Sequence, residues 1–291
     1  MLHFTKRLAL AILFRTSRFW PDRIYLKMVY YLSTGEILNL TYPRKFNEKM
    51  NWLKLYNRNP FYTKLADKYE VKRIVADMIG NQYVVPTYGV YNSFDSIDFS
   101  KLPDAFILKT THDSGGGILC KSKINFDFIE AKKQMKKKLK KNYYPKYREW
   151  PYKNIQPRIV VDKLLDDGTN HELQDYKFWC FNGVPKVIYL TNKGKDVREN
   201  FYDMDFNPLS INHGFAKADI EFSKPEGFEI MKELAAKLSR GIPFVRVDFF
   251  YVNGKVYFGE YTFYDWGGMQ PFQSKEWDIK LGSWINLHFD K

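Results

Sequence analysis

A lysine and a glycine-rich loop stand side by side in the stretch "FILKTTHDSGGGILCKSK", residues 106–123. Lys109 ends one apolar, strand-like segment, and a second apolar segment begins directly after the glycines. Because glycine lacks a Cβ, the backbone N–H groups of such a loop can approach an anion closely. A lysine at the strand end can place a point charge against the same anion. The candidate loop residues are Ser114, Gly115, Gly116 and Gly117.

This pattern indicates a phosphate site, but it has two interpretations. No Gly-Lys-Ser/Thr closes the loop onto a helix, so it is not a Walker motif. The alternative interpretation is a flexible hairpin loop beside an ordinary exposed lysine.

A second set of reactive side chains lies in "FVRVDFFYVNGKVYFGEYTF", which alternates as two strands of a hairpin do. Side chains of a strand alternate between faces, so Arg246 and Asp248 share one face, and Glu260 and Thr262 share a face on the partner strand. A two-residue Asn-Gly turn would send the two carboxylates to opposite faces. We predict instead a three-residue turn over 252–254, which puts Arg246 opposite Glu260 with Asp248 beside them.

Two carboxylates on one face form a candidate site for Mg²⁺, which prefers oxygen ligands and commonly takes phosphate as a co-ligand. The alternative is a surface cluster of acids and arginine whose ion pair stabilises the fold by about 0–1 kcal/mol. Aromatic and β-branched neighbours along both strands make a fully solvated face the weaker interpretation.

The elements that position these residues belong to a mixed fold. The chain has 291 residues, and 45% are hydrophobic, enough for a packed core. The first hundred residues are mostly helical in pattern, including one amphipathic helix over 65–80 that Gly80 ends. Strands and helices then mix without strict alternation, so we predict the α+β class.

The net charge indicates the kinds of partner the protein can bind, and the cysteine content excludes two kinds of site. The net charge is +13, from 46 Lys+Arg and 33 Asp+Glu, which favours nucleotides, acidic glycans, nucleic acid or an anionic membrane surface. Nucleic acid is disfavoured because no recognition motif is present. Two lone cysteines, Cys120 and Cys180, make neither a disulfide framework nor a metal cluster. We interpret both as reduced core residues of a cytoplasmic protein.

The N-terminal stretch "KRLALAILFRTSRFW" has two interpretations. Its apolar run is too short for a membrane span and lacks the cleavage site of a signal peptide. It is either a helix docked on the protein's own core or a basic amphipathic helix on a membrane surface, with Phe14, Phe19 and Trp20 near the apolar side. The lysine run over 132–141 is likewise either a solvated helix face or a contact for an acidic polymer or membrane.

The order of these segments resembles the ATP-grasp enzymes, and most closely their teichuronopeptide-biosynthesis-like branch, which occurs in bacterial capsule, O-antigen and cell-wall polysaccharide clusters. The resemblance implies two α+β lobes that clamp ATP, behind a mostly helical N-terminal region. It implies boundaries at 1–100, 101–161 and 162–291. The segments that carry it are "PRKFNEKMNWLKLYNRNPFYTKLADKYEVK", "LPDAFILKTTHDSGGG", "REWPYKNIQPRIVVDKLL", "DYKFWCFNGVPK", "PFVRVDFFYVNGKVYFGEYTF" and "WDIKLGSWI".

The resemblance also implies nucleotide contacts. Lys68 and Lys109 would contact phosphates, as would Lys177, and the Ser114–Gly117 loop would close over the β- and γ-phosphates. The adenine would lie on the strand that carries Asp162, Lys163 and Leu165, where many relatives have Glu in place of Asp162.

The resemblance also implies which residues bind the metal and which take part in catalysis. Arg246, with Lys109, would neutralise the phosphoryl group in transfer, and Asp248 and Glu260 would bind Mg²⁺. Thr262, the third implied metal ligand, stands where many ATP-grasp enzymes have a metal-binding Asn. The segment "TFYDWGGM" departs from the branch's pattern and is expected to face the acceptor.

The implied reaction passes the γ-phosphoryl group of ATP to a carboxylate, and an amine then displaces phosphate to leave an amide. The implied substrates are an amine co-substrate and a uronic acid on an acidic glycan or lipid-linked sugar. A rival class is a glycosyltransferase, because Asp203 and Asp205 have the spacing of a nucleotide-sugar Mn²⁺ site, although a polar turn also explains them. A third interpretation is a non-catalytic protein that binds a glycan or a membrane.

Overall fold

The computed structural model describes residues 2–169, 173–192 and 196–287. Helices dominate its N-terminal part, and strands and helices mix thereafter, as the α+β prediction requires. The helices are α1 (Leu2–Arg15), α2 (Asp22–Thr34), α3 (Phe46–Tyr56), α4 (Phe61–Ala66), α5 (Glu70–Ile79), α6 (Phe128–Leu139), α7 (Tyr144–Tyr147), α8 (Phe228–Leu238) and α9 (Lys275–Ser283).

The strands form two sheets within these described ranges. The first four are β1 (Thr87–Tyr91), β2 (Phe106–Thr110), β3 (Ile118–Cys120) and β4 (Ile159–Lys163). The others are β5 (Asp175–Phe181), β6 (Val184–Thr191), β7 (Arg198–Tyr202), β8 (Pro208–Leu209), β9 (Ala216–Lys217), β10 (Phe244–Val252) and β11 (Lys255–Thr262).

The smaller sheet has the order β1-β4-β2-β3, with every pair antiparallel. Helix α6 covers it and buries Ala131 and Met135 against Phe106 and Leu108 of β2. Strand β1 joins this sheet, although it lies within the predicted helical region 1–100. The predicted domain boundaries stay predictions.

The larger sheet has the order β11-β10-β5-β6-β7-β8, with β9 paired to β7. An aromatic core covers it: Phe46 of α3 stacks on Trp179 of β5 at 5.4 Å and meets Phe244 of β10 edge-on at 4.9 Å. Helix α8 packs on the sheet through Phe228 and Met231, which are fully buried. Phe244, Arg246 and Asp248 alternate along β10, so the site side chains lie on the face that packs against Phe46. Helix α8 covers the opposite face, where its Phe228 meets Phe178 of β5.

The predicted single helix over 65–80 is wrong, because residues 67–69 interrupt it between α4 and α5. The Asp67 carboxylate accepts hydrogen bonds from the backbone N–H groups of Tyr69 and Glu70 at 2.8 and 3.1 Å. A local acceptor of this kind starts a new helix and ends the old one. Lys68, at the break, donates its backbone N–H to the carbonyl of Thr111. Gly80 ends α5, as predicted.

Both cysteines are free and fully buried, so their prediction as core residues is confirmed. Burial raises the pKa of the Cys180 thiol to about 12. That thiol is therefore fully protonated at neutral pH.

The N-terminal helix α1 is docked on the protein. Leu10, Leu13 and Phe14 pack against the large core, and the Phe14 ring meets Tyr147 edge-on at 5.6 Å. The prediction that Phe14 lies near the apolar side of a membrane-surface helix is therefore wrong. Phe19, from the same prediction, is 70% exposed. Across the described ranges, none of the helices has the length and apolar character to cross a membrane.

Candidate functional site

The turn between β10 and β11 has two residues, so the three-residue prediction is wrong. Val252 pairs with Lys255, and the turn residues Asn253 and Gly254 have φ values of 50° and 76°. A turn with two left-handed residues matches the twist of the flanking strands, and Asn-Gly is its preferred sequence.

The two carboxylates nevertheless share a face, because a β-bulge corrects the register. Phe249 pairs with Phe258, but Asp248 pairs with Glu260, so Gly259 is an extra residue in β11. The predicted opposition of Arg246 and Glu260 is wrong, since Arg246 lies opposite Thr262. A glycine in a strand is a recognised bulge signal, and it was present in the sequence.

A cleft of about 480 Å³ opens between the two sheets, a volume typical of small-molecule sites. One wall comes from β2, β3 and β4, and the other from β5, β10 and β11. Thr262 is not among the residues that line it. The predicted site residues that do line it are Lys68, Lys109, Ser114, Gly115, Gly116, Gly117, Asp162, Lys163, Leu165, Lys177, Arg246, Asp248 and Glu260.

Lys68 connects the glycine-rich loop to the hairpin. Its ammonium group donates to the backbone carbonyl of Asp113 and lies 3.2 Å from a carboxylate oxygen of Glu260. The break between α4 and α5 places this lysine, and the side chain is largely buried. One cation therefore contacts both walls of the cleft.

Asp162 is buried at the centre of the smaller sheet. Its Oδ1 accepts hydrogen bonds from Lys72 at 2.6 Å and from the Thr87 hydroxyl at 2.7 Å. Its Oδ2 lies 3.4 Å from the ammonium of Lys109. Burial lowers the pKa of Lys72, which the charge of Asp162 opposes. Sequence reasoning missed Lys72, because its bond to Asp162 joins residues 90 positions apart.

The glycine-rich loop is held from the outside by α6. The ammonium of Lys138 donates to a carboxylate oxygen of Asp113 at 2.9 Å and to the carbonyl of Gly116 at 2.8 Å. Beside the loop, His112 is buried, with Nε2 2.9 Å from the Lys141 carbonyl, and burial lowers the pKa of His112. The lysine run therefore includes the side chain that holds the glycine-rich loop, Lys138, which sequence reasoning did not single out.

The three glycines of the loop differ in their surroundings. A Cβ on Gly117 would lie 2.6 Å from the Ile107 side chain and 2.8 Å from the Leu108 carbonyl. A Cβ on Gly116 would meet nothing within 4 Å. Packing on β2 therefore explains Gly117, whereas Gly116 leaves open space at the cleft.

Arg246 lies at the centre of a buried polar network. Its guanidinium donates to both carboxylate oxygens of Asp248, each at 2.7 Å, and to Asp265 at 2.6 Å. It also donates to the Tyr189 hydroxyl at 2.9 Å and reaches Glu260 at 3.4 Å. Sequence reasoning missed Asp265 and Tyr189, because only the folded sheet brings them to the arginine.

The two carboxylates differ in acidity. Burial raises the pKa of Asp248 to about 6, against the opposing charge of Arg246. Burial also acts to raise the pKa of Glu260, but the charges of Lys68 and Arg246 outweigh it and leave that pKa lowered. Lys177, paired with Asp248 across β5 and β10, contacts Asp175 at 2.9 Å.

This donor set fits Mg²⁺. Two carboxylates stand opposite each other on one face of the sheet, beside the lysines that line the cleft. Within the described ranges no three His, Cys, Asp or Glu side chains converge on one point. Mg²⁺ commonly completes its coordination with phosphate oxygens and water, so two protein carboxylates are sufficient.

The acid pair of the rival class lies elsewhere. The Asp203 carboxylate accepts hydrogen bonds from the backbone N–H groups of Asp205 and Asn207 at 2.9 and 2.8 Å. It therefore closes the turn between β7 and β8, and neither acid lines the cleft.

Several solved structures resemble this chain at low identity. An ATP-grasp ligase, PsnB, complexed with a phosphomimetic variant of its minimal precursor, Mg and ADP, is 10% identical, with a TM-score of 0.41, over 74% of this chain and 57% of PsnB. D-alanine–D-alanine ligase from Bacillus anthracis, complexed with ATP, is 13% identical, with a TM-score of 0.40, over 74% and 56%. The Helicobacter pylori enzyme of that name is 13% identical, with a TM-score of 0.43, over 84% and 70%.

The chain spans less than two thirds of the length of the first two structures. No curated protein matches its sequence. A sequence model of TupA-like ATP-grasp proteins matches residues 48–286, which is most of the chain and includes every residue of the cleft. The resemblance and the ATP-grasp fold expected from the sequence are therefore confirmed, and the chain belongs to the TupA-like ATP-grasp family.

Proposed function

We propose that this chain is an ATP-dependent carboxylate–amine ligase that uses Mg²⁺ and forms an acyl phosphate. The carrying observation is that Lys109 and the Asp248–Glu260 pair line one cleft between the two sheets. Membership of the ATP-grasp family supports the same activity.

The lining of the cleft suits a nucleotide. Its cations outnumber its carboxylates, which favours a polyphosphate. It also has an apolar component of the kind that accepts a purine ring. The apolar residues are Val71, Val84, Val85, Ile107, Leu119, Leu164, Leu165, Leu173, Phe250 and Phe258.

In this proposal the side chains mainly position and neutralise. Lys68 and Lys109 would hold phosphate oxygens, and the Ser114–Gly117 loop would offer backbone N–H groups to them. Arg246, fixed by Asp265 and Tyr189, would neutralise charge on the phosphoryl group as it moves. Asp248 and Glu260 would hold Mg²⁺, which when bound supplies further neutralisation of the phosphates.

The bonds made and broken are these. A substrate carboxylate attacks the γ-phosphorus, a P–O bond forms, and ADP leaves. The amine nitrogen then attacks the carbonyl carbon, phosphate leaves, and the amine loses a proton. The product is an amide, and one ATP becomes ADP and phosphate.

We further propose that the carboxylate belongs to a uronic acid of a bacterial surface polysaccharide or its lipid-linked precursor, and that the amine is an amino acid or related compound. The resemblance to polysaccharide-cluster proteins supports this substrate class. The chain's net charge of +13 is compatible with an acidic glycan.

The test follows ADP and phosphate release from ATP-Mg²⁺ with panels of uronic acids and amines. We expect ADP formation that depends on both an acid and an amine. Lys109→Ala or Glu260→Ala should reduce it by about a hundredfold or more, the order of loss seen when one transition-state contact is removed. Asp205→Asn, in the exposed turn, is the matched control and should retain activity.

Other outcomes point elsewhere. Thermal stabilisation by ATP-Mg²⁺ without turnover on any acid and amine pair would contradict ligation and favour a binding protein. UDP release from a nucleotide sugar, lost in Asp205→Asn, would favour the glycosyltransferase. Equal ADP formation by wild type and Glu260→Ala would contradict the proposed metal site.

A further inference from the structure

The outward side of α1 carries large apolar side chains that contact solvent. Leu8 and Ile12 lie one helical turn apart and are 55% and 54% exposed. They lie on the opposite side of the helix from Leu10, Leu13 and Phe14, which pack inward. These exposed side chains are therefore additional to the packing that holds α1 in place.

The turn after α1 extends this apolar surface. Phe19 is 70% exposed and Trp20 is 39% exposed. The Trp20 indole donates to the Thr16 hydroxyl at 3.2 Å, and that hydroxyl donates to the Ile12 carbonyl at 2.9 Å. This pair of bonds holds Trp20 against the end of α1, beside Ile12.

The charged residues interleaved with this surface are all basic. Arg7, Arg15 and Arg18 are exposed, and Arg18 lies over the Phe19 ring at 4.7 Å. Residues 5–21 contain no acidic side chain. We call Leu8, Ile12, Phe19 and Trp20, with Arg15 and Arg18, the N-terminal amphipathic face.

Asp22, the first acidic residue after this stretch, pairs with residues elsewhere in the protein. Asp22 bonds to Arg58 at 2.5 Å, to Arg148 at 2.7 Å and to the Tyr144 hydroxyl at 2.7 Å. Burial acts to raise the pKa of Asp22, but these partners outweigh it and lower that pKa. Its charge is thus balanced by Arg58 and Arg148 and is not directed at the arginines of the face.

We propose that the N-terminal amphipathic face docks this protein on the surface of an anionic phospholipid bilayer. Apolar side chains would enter the boundary between headgroups and acyl chains, and the arginines would meet lipid phosphates. Trp and Arg are well suited to that depth, because each combines an apolar body with a polar end.

The composition of the face favours a bilayer over a protein partner. The face combines large apolar side chains with arginines, and residues 5–21 include no acid, which is the composition of segments that lie in a membrane interface. The net positive charge complements anionic lipid and would repel most basic surfaces.

The test is sedimentation of the purified protein with vesicles, without nucleotide, so that its outcome is independent of the proposed activity. We expect binding to vesicles of phosphatidylcholine mixed with phosphatidylglycerol, and little binding to phosphatidylcholine alone. Added salt should weaken the binding. Arg15→Gln should weaken it about fivefold, and Phe19→Gln should weaken it about tenfold or more.

Two variants outside the face serve as matched controls. Ile124→Gln removes an isoleucine that is 91% exposed, and Lys133→Gln removes an exposed lysine of α6. Both should bind vesicles as wild type does. All four substitutions lie at solvent-facing positions, so thermal unfolding should stay near that of wild type.

Three outcomes would overturn the proposal. The first is failure of the wild type to sediment with anionic vesicles. The second is equal binding to neutral and anionic vesicles. The third is that Lys133→Gln loses vesicle binding while Arg15→Gln binds as wild type does. That result would indicate that the lysine run of α6 contacts the membrane.

Discussion

Two adjacent residues of the glycine-rich loop are required for different reasons. Gly117 lies against β2, where a Cβ would be 2.8 Å from the Leu108 carbonyl. Gly116 has open space around its missing side chain. The two residues are identical in the sequence, but Gly117 is needed for packing on β2, whereas Gly116 leaves room for a ligand.

Alanine substitutions should separate these roles. Gly117→Ala should lower the free energy of unfolding by about 1–3 kcal/mol, the usual cost of overpacking. Gly116→Ala should leave stability within about 0.5 kcal/mol of wild type and raise KM for ATP, because the methyl group would enter the ligand space. Thermal unfolding and ADP-release kinetics measure the two effects. An unchanged KM in a folded Gly116→Ala protein would contradict a phosphate role for the loop.

Lys138 is predicted to position the loop. Its contacts to Asp113 and to the Gly116 carbonyl are lost in Lys138→Met, so the loop should become less ordered. We expect KM for ATP to rise about tenfold with a smaller change in kcat, since hydrogen bonds to charged groups contribute roughly 1.5–3 kcal/mol. Lys137→Met, at an exposed position on the same helix, is the control. Equal KM values for the two variants would exclude a positioning role.

At this scale the sequence indicated the chemistry but not all the partners. Lys109, the glycines and the two carboxylates are visible as residue types at suggestive positions. Lys72, Tyr189 and Asp265 become relevant through their bonds to Asp162 and Arg246, which join residues 19 to 90 positions apart. No local pattern reports such contacts.

Among the elements, the β10–β11 hairpin depends on an irregularity in one strand. Its turn would place Asp248 and Glu260 on opposite faces, and the bulge at Gly259 restores them to one face. Alternation predicted the strands, and Asn253-Gly254 predicted the turn's position. The three-residue turn was wrong because the extra residue lies in the strand, where regular counting does not place it.

Gly259→Ala should perturb both fold and metal use. The added Cβ would lie 3.0 Å from the Asp248 carbonyl, so the bulge must shift. We expect a loss of about 1–3 kcal/mol in the free energy of unfolding and a several-fold rise in the Mg²⁺ concentration needed for ADP formation. Gly254→Ala is the comparison: its φ of +76° makes alanine costly by about 1–2 kcal/mol, but it lies away from the carboxylates. Equal Mg²⁺ requirements would contradict the role given to the bulge.

For the whole molecule, the order of segments along the chain carried most of the fold prediction. The α+β class follows from mixed patterns, and the family resemblance identified the architecture that residues 48–286 confirm. Which sheet each strand joins did not follow from pattern. Strand β1 joins the smaller sheet beside β4, across some 70 residues of intervening chain, because tertiary packing decides that pairing.

Burial of Glu199 should make global stability fall as pH rises. This side chain is 2% exposed and accepts a hydrogen bond from the Phe215 N–H, and burial raises its pKa from the ordinary 4.5 to about 8. Between those two pH values the folded state holds a proton that the unfolded state has released. Stability therefore declines with increasing pH across that window.

Glu199→Gln removes this titration and provides the measurement. The free energy of unfolding of the variant, relative to wild type, should increase steadily from about pH 5 to about pH 8. Urea unfolding at several pH values checks it. A difference that does not change with pH would show that the carboxyl group ionises equally in both states.

The contacts of Asp162 have a consequence for competition between anions. Lys72 and Lys109 already share a carboxylate, so a small anion such as chloride or sulfate would have to displace an internal counter-ion that cannot diffuse away. A triphosphate carries enough negative charge to compete with Asp162 for the two lysines. The cleft should therefore tolerate salty, phosphate-rich surroundings while discriminating strongly in favour of highly charged ligands.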